Sequence, residues 1–151
     1  MWARTCRNFL FGAAILAILA GGAWAANHHE LNGTWQLIPA RSVLNGEPAI
    51  ESGTVTIHDR EGNVYVSRNF DFNAANGSVS TTFSTDARHN TAIKQAGLWS
   101  KMKWDGDVLR VTTMQGGIST VERYSLLGDG DMMLQVERTG HQPETLYFQH
   151  Q

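Results

Sequence analysis

The residues best placed to do chemistry stand just behind an apolar leader. If the chain is cut after Ala25, the new N-terminus reads Ala26-Asn27-His28. A free amine, two amide nitrogens and a third-position imidazole form a square-planar four-nitrogen set suited to Cu(II) or Ni(II). His29 and Glu30 stand beside it. His58, His89, His141 and His150 are scattered without metal-ligand spacing and are read as surface residues. Catalytic spacings are missing: the chain holds no Gly-x-Ser-x-Gly elbow, no His-Glu-x-x-His and no phosphate-binding glycine loop. Nothing in the spacing of Asp71, Asp86 and His89 demands that they meet. The expectation is a binding protein and not an enzyme.

The leader has the three parts of a signal peptide. Arg4 and Arg7 form a positive start, Phe9 to Ala20 an apolar run, and Ala23-Trp24-Ala25 a small-residue cleavage site. The run is short for a bilayer span, which takes about 20 residues; an uncleaved anchor is the alternative. The division expected is 1–25 signal peptide, 26–32 flexible tail and 33–151 one β-domain, in a periplasmic or secreted protein whose mature chain does not insert in a membrane. Removing 25 of the 151 residues leaves 126, enough for one core. Ten basic residues then face fourteen acidic ones, for a net charge of −4, which argues against nucleic acid as a partner. Cys6 goes with the leader. Stability must therefore come from burial and backbone pairing, without disulfides.

Short alternating segments position whatever the domain binds. Residues 33–38 read as a first strand ended by Pro39, and 39–50 as a long loop. Strands at 52–58 and 64–71 flank a turn at Asp59 to Asn63, and 78–84 precedes a polar loop from Thr85 to Asn90. Residues 91–95 make a short strand. Asp105-Gly106 predicts a two-residue hairpin loop. It pairs Trp104 with Asp107, Met102 with Leu109, Ser100 with Val111 and Leu98 with Thr113. Trp104, Met102 and Leu109 then point inward and the lysines outward. Gly128-Asp129-Gly130 predicts a three-residue loop with Gly130 left-handed, pairing Leu126 with Met132 and Tyr124 with Leu134. Val136 and Arg138 continue that face, and 144–149 closes the chain. Nine or ten antiparallel strands in sequence order describe an all-β, up-and-down barrel or a strongly curled sheet.

Gly33-Thr34-Trp35-Gln36-Leu37, then Pro39-Ala40-Arg41-Ser42, resembles the opening of small secreted bacterial lipocalin-like (calycin-type) β-barrel proteins. Trp104-Asp105-Gly106-Asp107-x-Leu109 and the Leu-x-Gly-Asp-Gly stretch from Leu126 are similar to later elements of the same group. The resemblance implies a barrel floor built by Gly33 and Trp35, with an arginine from a late strand lying across the indole. Arg138 is the candidate. It also implies a small hydrophobic ligand in the interior. A lipocalin second motif and the disulfide of many members are missing.

The inward residues proposed to contact such a ligand are Trp35, Phe83, Ser100, Met102, Trp104 and Tyr124, with Met132 and Tyr65 or its neighbours nearby. An eight-stranded barrel is only just filled by its own side chains, so a packed interior is the alternative. The inward hydroxyls of Ser100 and Thr113 favour a pocket, because buried hydroxyls need partners. A second function is also expected to compete. Bacterial metalloprotease inhibitors are also small periplasmic barrels with a similar Gly-x-Trp opening, although this chain is somewhat longer and lacks their disulfide; the resemblance would make it a protein-binding module acting through the tail at Ala26 to Glu30.

Overall fold

The computed structural model describes residues 28–46, 48–60, 63–75, 77–88, 93–95 and 97–151; the side chains of residues 28, 83–88 and 93–95 lie outside that description. Residues 1–27, where the signal peptide and the metal candidates Ala26 and Asn27 are expected, and His89 therefore lie outside it.

Ten antiparallel strands follow one another: β1 (Gly33–Leu37), β2 (Ala49–Arg60), β3 (Asn63–Ala74), β4 (Gly77–Arg88), β5 (Ile93–Gln95), β6 (Leu98–Asp105), β7 (Val108–Gln115), β8 (Ile118–Leu126), β9 (Met132–Arg138) and β10 (Glu144–His150). Each lies beside its sequence neighbour except at the join of β4 and β5, and β1 meets β10 with Trp35 opposite His150 and Leu37 opposite Phe148. β4 and β5 are the two ends of this sheet. β4 approaches β5 and β6 within 8 Å between Cα atoms, yet no ladder joins them among the described residues. The sheet is curled into a barrel whose seam is not hydrogen-bonded there.

β2, β3 and β4 are each 12 residues long. β4 runs on through residues expected to form a polar loop, because Asn63, Val64 and Tyr65 of β3 pair with Arg88, Ala87 and Asp86. A long partner strand thus extends the ladder into a polar sequence that would not form a strand alone. Between β1 and β2, Pro39–Arg41 forms a 3-10 turn with the proline in its first positions, where a missing N–H costs nothing.

The two hairpins test register. At the second, Leu126 pairs with Met132 and Tyr124 with Leu134, and Gly130 has φ +89°, as expected. At the first, the loop is Gly106-Asp107 and not Asp105-Gly106. Asp105 pairs with Val108, Trp104 with Leu109, Met102 with Val111 and Ser100 with Thr113. Gly106 takes φ +61° at the first loop position, as both favoured hairpin turns require. The register is two residues off the expected one, so every side chain keeps its face.

Period-two alternation sets the interior. Val55 and Ile57 of β2, Val64 and Val66 of β3, Leu109 and Val111 of β7, and Leu146 and Phe148 of β10 are all buried. Tyr65, one place out of phase with Val64 and Val66, faces outward at 40% exposed and stacks on His58, 6.5 Å between ring centroids. The interior of β3 belongs to its neighbours. Burial is concentrated at the end of the barrel that holds the start of β1, the β6–β7 turn and the C-terminus; here it is the lower end.

Candidate functional site

The lower end is closed by Trp35. Its indole is 1% exposed, and Nε1 donates to the carbonyl of Leu31 at 2.9 Å. Leu31 is itself buried and ends a 3-10 turn, His28–Leu31. Residues 28–31, expected as part of a flexible tail, thus include an anchor for the floor. His150 meets Trp35 edge-on, ring centroids 4.8 Å apart. The His150 ring also occupies the space a Cβ on Gly33 would need, and Gly33 has φ +136°. The backbone angle favours glycine there, and a Cβ would have to push the His150 ring aside.

Arg138 does not cross Trp35. Trp35 lies opposite His150 at the lower end of β10, whereas Val136 lies opposite Glu144 at the upper end, and Arg138 is beyond it. At about 3.3 Å per residue, most of β10, roughly 20 Å, separates them. Arg138 is exposed at the barrel mouth. Arg41 instead lies over an aromatic ring, its guanidinium 4.5 Å from the centroid of Tyr147. Arg41 Nη2 donates to Asp129 Oδ2 at 3.0 Å and Nη1 to Asp131. Ser42 Oγ donates to the Ile38 carbonyl and accepts from the Tyr147 N–H, both at 2.9 Å. The Pro39-Ala40-Arg41-Ser42 motif therefore staples the exit of β1 to β10 and to the β8–β9 loop.

Midway up, Arg68 of β3 reaches across the lumen to β8. Nε donates to Glu122 Oε1 and to the Tyr124 hydroxyl, each at 2.9 Å, Nη2 to Glu122 Oε2, and Nη1 to the Val66 carbonyl at 3.0 Å. Arg68 is 2% exposed and Glu122 8%. Burial works to lower the Arg68 pKa, but Tyr124 and Glu122 together hold it above the ordinary arginine value. Burial, aided by Glu122 and opposed by Arg68, pushes the Tyr124 phenol well up, so it stays neutral. Arginine's planar fork suits this bidentate pairing.

Above this tie the barrel is hollow. A cavity of about 680 Å³ opens at the upper end, within the range of small-ligand sites. One wall is apolar: Ile50 of β2 with Phe70 and Phe72 of β3, whose rings meet edge-to-face at 6.4 Å. Gly53, paired with Phe70, makes room for that ring, which lies where a Cβ would stand. The facing wall holds Leu134 and Val136 of β9 and Leu146 of β10, with the hydroxyls of Thr113 and Thr120 among them. Glu122 lines the bottom, and Arg138, His141 and Glu144 the mouth. Glu144 Oε1 accepts from the backbone N–H groups of Asn45 and Gly46 at 3.1 and 2.7 Å.

The residues proposed as ligand contacts fall mostly outside this cup. Trp35 and Met102 are packed in the lower core, and Trp104 is half-buried against it. Tyr124 lies beneath the cup, in the Arg68–Glu122 tie. Ser100 is buried beside Thr113, which does line the cavity. Phe83 pairs with Arg68 on β4, its side chain outside the described residues. Ala26, Asn27 and the side chain of His28, the Cu(II) candidates, are also outside them. Arg68 and Glu122 are absent from the residues that the sequence singles out. Their available signal is Val64-x-Val66-x-Arg68-x-Phe70-x-Phe72, a charge within an inward row of period two.

No family model matches the chain, and no curated protein sequence does. Solved structures match. The Schistosoma mansoni fatty acid binding protein in complex with arachidonic acid superposes with a TM-score of 0.56 at 14% identity, over 81% of this chain and 96% of that one. Echinococcus granulosus fatty-acid-binding protein 1 gives 0.55 at 12%, over 80% and 98%. The wild-type fluorescent protein UnaG gives 0.53 at 11%, over 80% and 96%. Likeness at these identities is likeness of fold. In fold, this chain is a calycin-type, lipocalin-like antiparallel β-barrel.

Proposed function

We propose that this protein is exported and holds a small hydrophobic molecule in the upper cup of its barrel. One observation carries the reading: the lumen is filled below the Arg68–Glu122 tie and empty above it, where about 680 Å³ is walled by Ile50, Phe70, Phe72, Val136 and Leu146. Protein interiors are close-packed, so a void of this size lined by apolar side chains with a few polar groups has the form of a binding site. The fold it shares with fatty-acid-binding proteins supports the same reading. The leader at 1–25 supports export.

Native mass spectrometry of the protein recovered from an exporting host tests both parts. The expected result is a chain beginning at Ala26 that carries a retained small molecule. Val136→Trp, which sets an indole in the middle of the cup and obstructs it, should fold and lose that mass. Retention of the same molecule by the obstructed variant would overturn the assignment of the site. Deletion of residues 26–30 should leave the bound mass in place; a protease-inhibiting activity lost on that deletion would favour action through the tail.

A further inference from the structure

The bottom of the cup has a charge order with consequences for the ligand's polar end; the inference rests on the cup being a ligand site. Glu122 lines the cavity and Arg68 does not. Seen from the cup, the cation therefore lies behind the carboxylate. Arg68 is already committed to Glu122, Tyr124 and the Val66 carbonyl. Arginine donates and never accepts, while an ionised carboxylate accepts at about four lone-pair sites. Arg68 Nε and Nη2 occupy two of these, which leaves acceptor capacity on the cup side. Glu144, the second carboxylate of the lining, is turned to backbone amides near the mouth. Arg138 is at the mouth and exposed.

An incoming carboxylate would reach the bottom of the cup and meet acceptor oxygens of its own sign. The guanidinium that could have received it is matched by an internal acid. A group that donates hydrogen bonds meets the opposite situation. We infer that the cup selects a hydrophobic molecule whose polar end donates hydrogen bonds and carries no negative charge, an amine or an alcohol, and that Glu122 sets this preference. Thr113 and Thr120, paired across β7 and β8 on the same wall, supply hydroxyls that take either role.

The test uses the mature protein and Nile red, a neutral apolar dye, as the reporter of cup occupancy, with Val136→Trp as the obstructed control. Dodecylamine, dodecanol and dodecanoate, equal in chain length, compete against it below their micelle-forming concentrations. The amine and the alcohol should each displace the dye at concentrations at least about tenfold lower than the carboxylate. Amine and carboxylate both bring a charge into the cup, so their order reads the sign of its floor. Glu122→Gln leaves Arg68 unmatched and should narrow or reverse the gap. Dodecanoate competing as well as the amine in the wild type overturns the inference, as does a gap unchanged in Glu122→Gln. If that variant fails to fold, the wild-type order decides. Dye that binds but yields to none of the three chains overturns the head-group preference and leaves the cup standing. Dye that binds the wild type no better than the obstructed control overturns the ligand-site reading itself.

Discussion

Below the Arg68–Glu122 tie the barrel is solid, and above it the same strands enclose a cup. Both halves obey one alternation, and the size of the inward residues separates them. The lower half receives Trp35, Met102, Tyr124, Met132 and Phe148, all essentially inaccessible. Along β7 the inward row runs from Leu109 and Val111 to Thr113, and along β9 from Met132 and Leu134 to Val136 and Arg138. Side chains shrink or turn polar as the rows climb. Phe70 and Phe72 are large, but Gly53 lets Phe70 lie against its own wall. A barrel of this kind can thus be plug at one end and vessel at the other, with an ion pair between opposite walls marking the boundary.

The sharpest way to break the contrast is to remove one large ring from each half. Trp35→Ala or Phe148→Ala should cost about 3–5 kcal/mol in urea unfolding, by lost burial plus the cavity left behind. Phe72→Ala, on the cup wall, should cost about 1 kcal/mol and weaken ligand retention instead. Equal losses would mean the two halves are packed alike.

The tie itself comes next. Arg68→Met leaves Glu122 buried without its cation and should destabilise by about 3 kcal/mol. Arg68→Met combined with Glu122→Leu should regain most of that loss, since an apolar pair of similar volume is often neutral. A double variant no better than the single would show that the pair does more than match charge.

Overpacking probes the same boundary from the other side. Val55→Phe in the lower half should cost about 1–3 kcal/mol, while Val136→Phe should stay within about 0.5 kcal/mol because the cup has space. The staple outside the barrel contributes less. Arg41→Ala loses the contact over Tyr147 and two ion pairs, and should cost about 1 kcal/mol or less, since Arg41 is 39% exposed and solvent screens it.

The smallest effect is one of pH. The Asp131 N–H, donating to Asp129 Oδ1, holds the Asp129 carboxyl below the usual aspartate range; slight desolvation opposes this and Arg41 adds to it. A depressed folded-state pKa contributes stability above the unfolded value of about 3.9 and loses it as pH falls through the folded one. Asp129→Asn should therefore be slightly less stable at neutral pH and have a flatter acid limb, the two proteins converging below about pH 4, as read by thermal unfolding at several pH values.

Much of the frame is legible in the residues. The strand at Gly33-Thr34-Trp35, the inward set at Met102 and Leu109 and the register around Gly130 all follow from alternation and turn chemistry, which act over a few residues. The Asp105-Gly106 dipeptide points to a register two places from the observed one, with its faces intact. Tyr65 is expected near the interior because aromatic residues are commonly buried, whereas its β-branched neighbours Val64 and Val66 hold the buried phase. The candidate ligand residues are inward or large, and so lie mostly in the lower half. Inwardness is a local property; the height at which the lumen stops being filled is not.

The sequence by itself determined an all-β antiparallel chain, its strand faces and the tryptophan at its floor, because period-two patterning and glycine turns are local physics. Tertiary structure decided three things: that His150 meets Trp35 while Arg41 goes to Tyr147, that Arg68 crosses the lumen to a glutamate 54 residues away, and that the upper half stays open. Each depends on which strands face one another once the sheet has curled, and on the volumes that then meet inside it.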